Sequence, residues 1–134
     1  MNYLSEEEIV AINKKAVKLS NDPHGIMHPS NLSHAAEAIQ MKYNSNEDAV
    51  ILKASFILDY LANKGHVFIE GNKRTAETAT ILFLRINGLF FEEKDQKELT
   101  NFVLSVARNQ ESVTSISKWL KQRIKTMPGN NLPK

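Results

Sequence analysis

The stretch from Ala49 to Lys64 most restricts the folds open to this chain. It carries Ala49, Val50, Ile51, Leu52, Ala54, Phe56, Ile57, Leu58, Tyr60, Leu61 and Ala62. Wound as a helix it is apolar around most of its circumference, and such a helix belongs at the centre of a domain. Gly65 is a natural stop for it. A second central helix is expected from near Asn72 to Asn87–Gly88, burying Ala76, Ala79, Leu82, Phe83 and Ile86 at helical spacing.

The rest of the chain supplies helices to cover these two. Ser5 with Glu8 reads as a capping box. The helix it opens is expected to bury Ile9, Ile12, Ala16 and Leu19 and to stop near Asn21, Asp22 and Pro23. Pro23 to Asn31 reads as a loop, and Leu32 to Lys42 as a short helix. Leu89 to Phe91 is expected to be briefly extended. Asp95 is expected to cap a fifth helix with Leu99, Phe102, Val103 and Val106 inside. Ser112 or Thr114 should cap a sixth, burying Val113, Ile116, Leu120 and Ile124. No segment alternates long enough to demand a sheet. The expectation is an all-α fold, a compact six-helix bundle with two buried central helices. A length of 134 residues suits one domain, placed at 1–126. The Pro-, Gly- and Asn-rich residues 127–134 are read as a flexible C-terminal tail.

Composition narrows the function classes. The absence of cysteine excludes disulfides and thiolate metal sites. A net charge of +2 is too small to argue for nucleic acid by itself. The N-terminus has no basic region followed by an apolar one, as a secretory signal would. No apolar run has membrane-spanning length. A cytoplasmic location is the expectation.

The chemistry concentrates in Gly65-His-Val-Phe-Ile-Glu-Gly-Asn-Lys-Arg-Thr75, a short loop between the two central helices. A helix N-terminus offers free N–H groups and partial positive charge, so acidic residues are favoured there. Here the first turn carries Lys73 and Arg74 instead. A bound anion would account for this excess of positive potential. Gly71 lets backbone approach a ligand, and Asn72 is expected to cap the helix and still offer its amide. His66 is the side chain whose proton moves near neutral pH. Glu70 is a hard oxygen ligand suited to Mg²⁺ on phosphates. A base, a metal ligand and an anion site together suit phosphoryl-type transfer to a hydroxyl. Phe68 is expected to anchor the loop in the core. Taken singly, each residue has an ordinary reading as polar loop, dipole partner, solvated face, cap or turn. Their order carries the weight.

That order resembles the signature of the Fic/Doc superfamily, His-x-Phe-x-(Asp/Glu)-Gly-Asn-(Gly/Lys)-Arg, with His66, Phe68, Glu70, Gly71, Asn72, Lys73 and Arg74 in register. AMP-transferring members usually have glycine where this chain has Lys73. Lys73-Arg74-Thr75-Ala76 resembles the Doc (death on curing) toxins. So do Leu4-Ser5-x-Glu7-Glu8, the Gly25–Ile39 region, Phe83-Leu84-Arg85-x-Asn87-Gly88 and Ser112-Val113-x-Ser115. The likeness spans about residues 3 to 126. Glu70-Gly71-Asn72 departs from it toward the AMP-transferring branch, and Glu70 replaces the commoner aspartate.

The resemblance implies a set of roles. His66 deprotonates the target hydroxyl, and Glu70 holds Mg²⁺. Gly71, Asn72, Lys73 and Arg74 hold the nucleotide phosphates. The enzyme would be a Mg-ATP-dependent kinase, one half of a type II toxin–antitoxin pair. It would pass the γ-phosphate of ATP to elongation factor Tu and halt translation. The self-inhibiting motif (Ser/Thr)-x-x-x-Glu-(Gly/Asn) has its nearest match at Ser33-x-x-x-Glu37-Ala38, which fails at its last position. Inhibition is therefore expected in trans, from a Phd-like antitoxin.

Three other readings stand beside this one. AMP transfer would use the same His66. His24, His28 and His34 suggest a metal site, but their spacing crosses a loop with Pro29 and lacks carboxylate or thiolate support. A non-catalytic protein- or DNA-binding module would use Lys118, Lys121, Arg123 and Lys125 as phosphate contacts, although such charge runs are more often solvated faces.

Overall fold

The computed structural model describes residues 1–128. Six α-helices carry the fold: α1 (Glu6–Leu19), α2 (Pro29–Met41), α3 (Ala49–Asp59), α4 (Asn72–Ile86), α5 (Glu93–Ala107) and α6 (Val113–Lys121). A π-helical turn, Tyr60–Lys64, extends α3. Two short strands, β1 (Leu89–Phe91) and β2 (Ile124–Thr126), pair antiparallel with Phe90 opposite Lys125. The fold is all-α, as the spacing predicts.

α3 lies at the centre, packed against α4 and α6, while α1 covers α4 from the other side. Ala54, Ile57, Leu58 and Leu61 of the central helix meet Ala76, Ala79, Phe83 and Leu84 of α4 in one continuous core. Phe83 is fully buried; truncating such a side chain to alanine costs about 3–5 kcal/mol. The loop that joins α3 to α4 thus hangs between the two most constrained elements.

The Ser5–Glu8 capping box forms as expected, Ser5 accepting from the Glu8 N–H and Glu8 from the Ser5 N–H. The buried face of α1 differs from expectation. Ile9 is buried, but its companions are Asn13 and Val17, while Leu19 is 81% exposed. The helix is rotated so that Asn13 faces the loop before α4 and bonds to it. α2 begins earlier than expected, at Pro29, because proline lacks an N–H and suits the first helical turn.

Two boundaries also shift, while the cap of α6 falls on one of the two residues expected. α5 opens at Glu93 with Glu92 as its cap, so Asp95 sits inside the first turn, where its charge complements the helix dipole. Ser112 caps α6 in a box with Ser115. Ile124 belongs to β2 and not to α6, since the chain leaves the helix after Lys121 to pair with β1. The short ribbon was not expected from alternation, as three residues are too few to show it. The tail expected from Met127 begins with a residue whose N–H bonds the Gly88 carbonyl at 2.9 Å. Residues 129–134 lie outside the described residues.

Candidate active site

The loop begins where the π-turn ends. The Gly65 N–H bonds back to the Tyr60 carbonyl at 2.7 Å, five residues away. A Cβ on Gly65 would lie 2.6 Å from the Tyr60 ring, so glycine is needed for that close approach. Gly65 itself keeps right-handed backbone. The left-handed residue is the next one, His66, at φ 44°. Such a conformation costs a residue with a side chain about 1–2 kcal/mol.

The neighbours of His66 hold it there. Asn31 of α2 donates its side-chain N–H to the Gly65 carbonyl at 2.7 Å. The Val67 carbonyl accepts from Met27 N–H at 2.7 Å and His28 N–H at 3.2 Å. Asn31 thus fixes the peptide before His66, Met27 and His28 fix the one after Val67, and His66 stands exposed to solvent.

Phe68 is buried in the core, as its anchoring role requires. Its backbone pairs with Ile26 in an isolated bridge, and Ile69 N–H bonds the Gly25 carbonyl at 3.0 Å. The segment expected to be a plain loop therefore braces the site loop from one side.

Gly71, at φ 80°, occupies the N-cap position of α4 and supplies no side-chain cap. The expected cap, Asn72, is instead the first helical residue. Its amide is turned back on Phe68: Oδ1 accepts from Phe68 N–H at 3.1 Å, and Nδ2 donates to the Phe68 carbonyl at 2.8 Å. The first α4 residue to bond backward is Thr75, whose N–H reaches the Gly71 carbonyl at 2.9 Å. The N–H groups before it belong to the helix end that lacks intrahelical acceptors.

Glu70, Gly71, Asn72, Lys73 and Arg74 line one pocket of 340 Å³ together with Ala62, Ile69 and Ala107. The residues singled out for anion and metal binding are thus gathered in space. His66 is not among those lining the pocket, and Phe68 lies beneath the loop. Lys73 is exposed. Arg74 is only partly free: it donates to the Ala16 carbonyl at 2.8 Å and meets the Asp22 carboxylate at 3.4 Å. These contacts hold the guanidinium in place beside the pocket. Arg74 also borders a larger groove of 660 Å³ between α1 and α4.

Glu70 forms no ion pair among the described residues, and its carboxylate is exposed. No cluster of three or more His, Cys, Asp or Glu side chains able to hold a metal occurs there either, His24, His28 and His34 included. One unpaired carboxylate beside an anion pocket fits the way Mg²⁺ binds, through one or two carboxylates with phosphates and waters completing the shell.

Spacing alone missed Asn13 and Asn31, and offered His24 only as one of three histidines of a metal site. Asn13 is fully buried; its Nδ2 donates to the Glu70 carbonyl at 2.8 Å and to Thr75 Oγ1 at 3.1 Å. His24 Nδ1 lies 2.9 Å from Asn13 Oδ1. A polar residue four positions from Ile9 and four from Val17, on a buried face, is the signal that could have revealed Asn13.

The basic stretch at the end of the chain is largely neutralised. Lys121 pairs with Asp48 at 2.9 Å, Arg123 with Glu98 at 3.0 Å, and Lys125 with Glu92 at 3.8 Å. Arg123 also lies over the Trp119 ring, and Arg123 and Lys125 fall beyond the end of α6. These residues do not form one helix face of free cations. Among the described residues no helix is long and apolar enough to cross a membrane.

Comparison with known proteins shows the family. A model of the Fic/DOC family matches residues 3–84, which include α1, the central helix, the loop and most of α4. The chain is also 26% identical over 122 residues to the protein named Protein kinase doc of Escherichia phage P1, covering 91% of this chain and 95% of that relative. With a family match over more than half its length, one that includes the loop placing Glu70, Gly71, Asn72, Lys73 and Arg74 around one pocket, this chain belongs to the Fic/DOC family.

Proposed function

We propose that this chain is a Doc-type toxin, a protein kinase that transfers the γ-phosphate of ATP to a hydroxyl of a translation factor such as elongation factor Tu. It would act in the cytoplasm and halt translation. The observation that carries the reading is the pocket at the N-terminus of α4, where Glu70, Gly71, Lys73 and Arg74 meet. The likeness to a relative named as a protein kinase supports it, as does Lys73 at the position where AMP-transferring members usually carry glycine.

The roles follow from chemistry. His66, exposed on fixed backbone, takes the proton of the target hydroxyl as its oxygen attacks the γ-phosphorus. The bond from that phosphorus to the β-phosphate oxygen breaks, and ADP leaves. Lys73, Arg74 and the N–H groups at Gly71 and Asn72 stabilise the phosphate charge through fixed positive potential. Asn72's side chain serves the loop by locking Phe68. Glu70 would hold Mg²⁺, which supplies neutralisation of phosphate charge when bound.

The expected Phd-like antitoxin is proposed to occupy the α1–α4 groove. That groove shares Arg74 with the pocket, so an occupant there would reach the phosphate site. Residues 1–126 would form a single Fic/Doc domain.

AMP transfer is the second reading, favoured by Glu70-Gly71-Asn72. Incubation with Mg²⁺, a translation-factor mixture and ATP labelled on either the α or the γ phosphate separates the two. Label from γ alone, lost in His66→Ala, is expected. Label from α would assign AMP transfer. No label from either would withdraw the catalytic reading.

A further inference from the structure

The geometry points to Asn13 as a positioning residue that decides which face of the Glu70–Gly71 peptide is turned to the phosphate pocket. This inference rests on the reading of that pocket as a nucleotide site. Asn13 lies on α1 and is fully buried. Its amide has one consistent orientation. The Glu70 carbonyl can only accept, so Nδ2 faces it, at 2.8 Å. The second Nδ2 hydrogen goes to Thr75 Oγ1 at 3.1 Å. Oδ1 is left to accept from His24 Nδ1 at 2.9 Å, which makes that ring nitrogen the protonated one.

The consequence reaches the pocket through one peptide bond. There are no cis peptides among the described residues. In a trans peptide the carbonyl and the N–H point in opposite directions. With the Glu70 carbonyl held toward α1, the Gly71 N–H is turned away from α1. The pocket lies on that other side, its walls coming from the loop, α4, the π-turn and α5.

Glycine at position 71, with φ 80°, lets this peptide turn over at little steric cost. Turned over, it would aim a carbonyl oxygen at the phosphates and repel them. Asn13 holds it against that flip. α1 also presses close to the turn: a Cβ on Gly71 would lie 3.2 Å from Asn13 Nδ2 and 3.0 Å from Val17 Cγ1.

A merely structural asparagine would lower stability and leave binding by the folded protein unchanged. The test compares the wild-type chain with Asn13→Ala and the isosteric Asn13→Asp, each checked for folding by circular dichroism. Mg-ATP binding is measured by calorimetry, and the amide signals of Gly71 and Gly88 are followed by NMR. The expected result is roughly tenfold or greater loss of affinity in either folded variant, the worth of one charge-assisted hydrogen bond. The Gly71 amide signal should shift on nucleotide addition in the wild type, while Gly88 stays still. In the variants it should already be displaced before nucleotide is added.

A folded variant that binds Mg-ATP as tightly as wild type, with Gly71 unmoved, overturns the positioning role and leaves the nucleotide site standing. A wild-type chain that binds no Mg-ATP overturns the nucleotide reading itself, and this inference with it. Should Asn13→Ala unfold, Asn13→Asp, which keeps the packing volume, decides the matter.

Discussion

Asn72 grips the backbone of Phe68 on both sides of its Cα: the side-chain amide accepts from the Phe68 N–H at 3.1 Å and donates to its carbonyl at 2.8 Å. The first residue of α4 is thereby tied to the loop aromatic sunk in the core beside Val67. Asn72→Ala removes both bonds and leaves two backbone groups of a part-buried segment to find water. A loss of about 1–3 kcal/mol is expected in urea unfolding. Transfer activity should fall at least roughly tenfold, because small displacements of catalytic groups are costly in rate. Equal activity in a folded variant would show that the clasp does not position the loop.

Arg74 is shared between the pocket and Asp22. Both side chains of the pair are about two-fifths exposed, 42% and 40%, so the pair contributes little stability, about 0–1 kcal/mol. Its effect should be on binding instead, since Asp22 competes with phosphate for the guanidinium. Asp22→Asn is expected to leave the unfolding midpoint nearly unchanged. It should tighten Mg-ATP binding by roughly twofold to fivefold at low salt, the gain shrinking as salt screens the competition. Calorimetry at two ionic strengths checks both parts.

Much of this site was legible in the residues alone, for a physical reason. His66, Phe68 and Glu70 to Arg74 are contiguous, and the loop's ends are set by two helices whose apolar faces announce themselves. The partners of the supports were not legible, although a polar residue on the apolar face of α1 marks Asn13 itself. Asn13, His24 and Asn31 act across the fold, through contacts 57 residues apart for Asn13 with Glu70 and 34 for Asn31 with Gly65. Periodicity carries no information about such pairings. The rotation of α1 shows the same limit. Leu19 continued the apolar spacing, yet it is exposed, because the helix turns Asn13 and Val17 inward. The ribbon of β1 and β2 escaped for a different reason: its pairing is set by the end of α6, not by alternation.

Lys53 is a buried cation that the apolar look of α3 concealed. It is fully enclosed, and its ammonium donates to the Ile39 carbonyl at 2.5 Å, to Asn44 Oδ1 at 2.6 Å and to Tyr3 Oη at 3.1 Å. These bonds satisfy the C-terminal end of α2. Lys53→Met keeps most of the volume and strands those acceptors. The expected cost is about 2–4 kcal/mol in urea unfolding. A neutral outcome would mean that the acceptors find water.

Tyr60 gives the fold a dependence on alkaline pH. Burial raises its hydroxyl above the usual 10.0. The folded state therefore favours the neutral phenol more than the unfolded chain does. That contribution is complete below the unfolded value and is lost as pH rises through the folded one. Stability should decline above about pH 10, and Tyr60→Phe should lose part of that decline. The difference between the two urea midpoints, followed from neutral to alkaline pH, isolates the tyrosine from other titrating groups.

The most direct test of the central claim is the mass of the target after reaction. Purified elongation factor Tu would be incubated with this chain, Mg²⁺ and ATP, and weighed intact by mass spectrometry beside a His66→Ala control. The account predicts a gain of one phosphoryl group that vanishes in the control. A gain of one adenylyl group, or a factor that leaves with its mass unchanged, would contradict it.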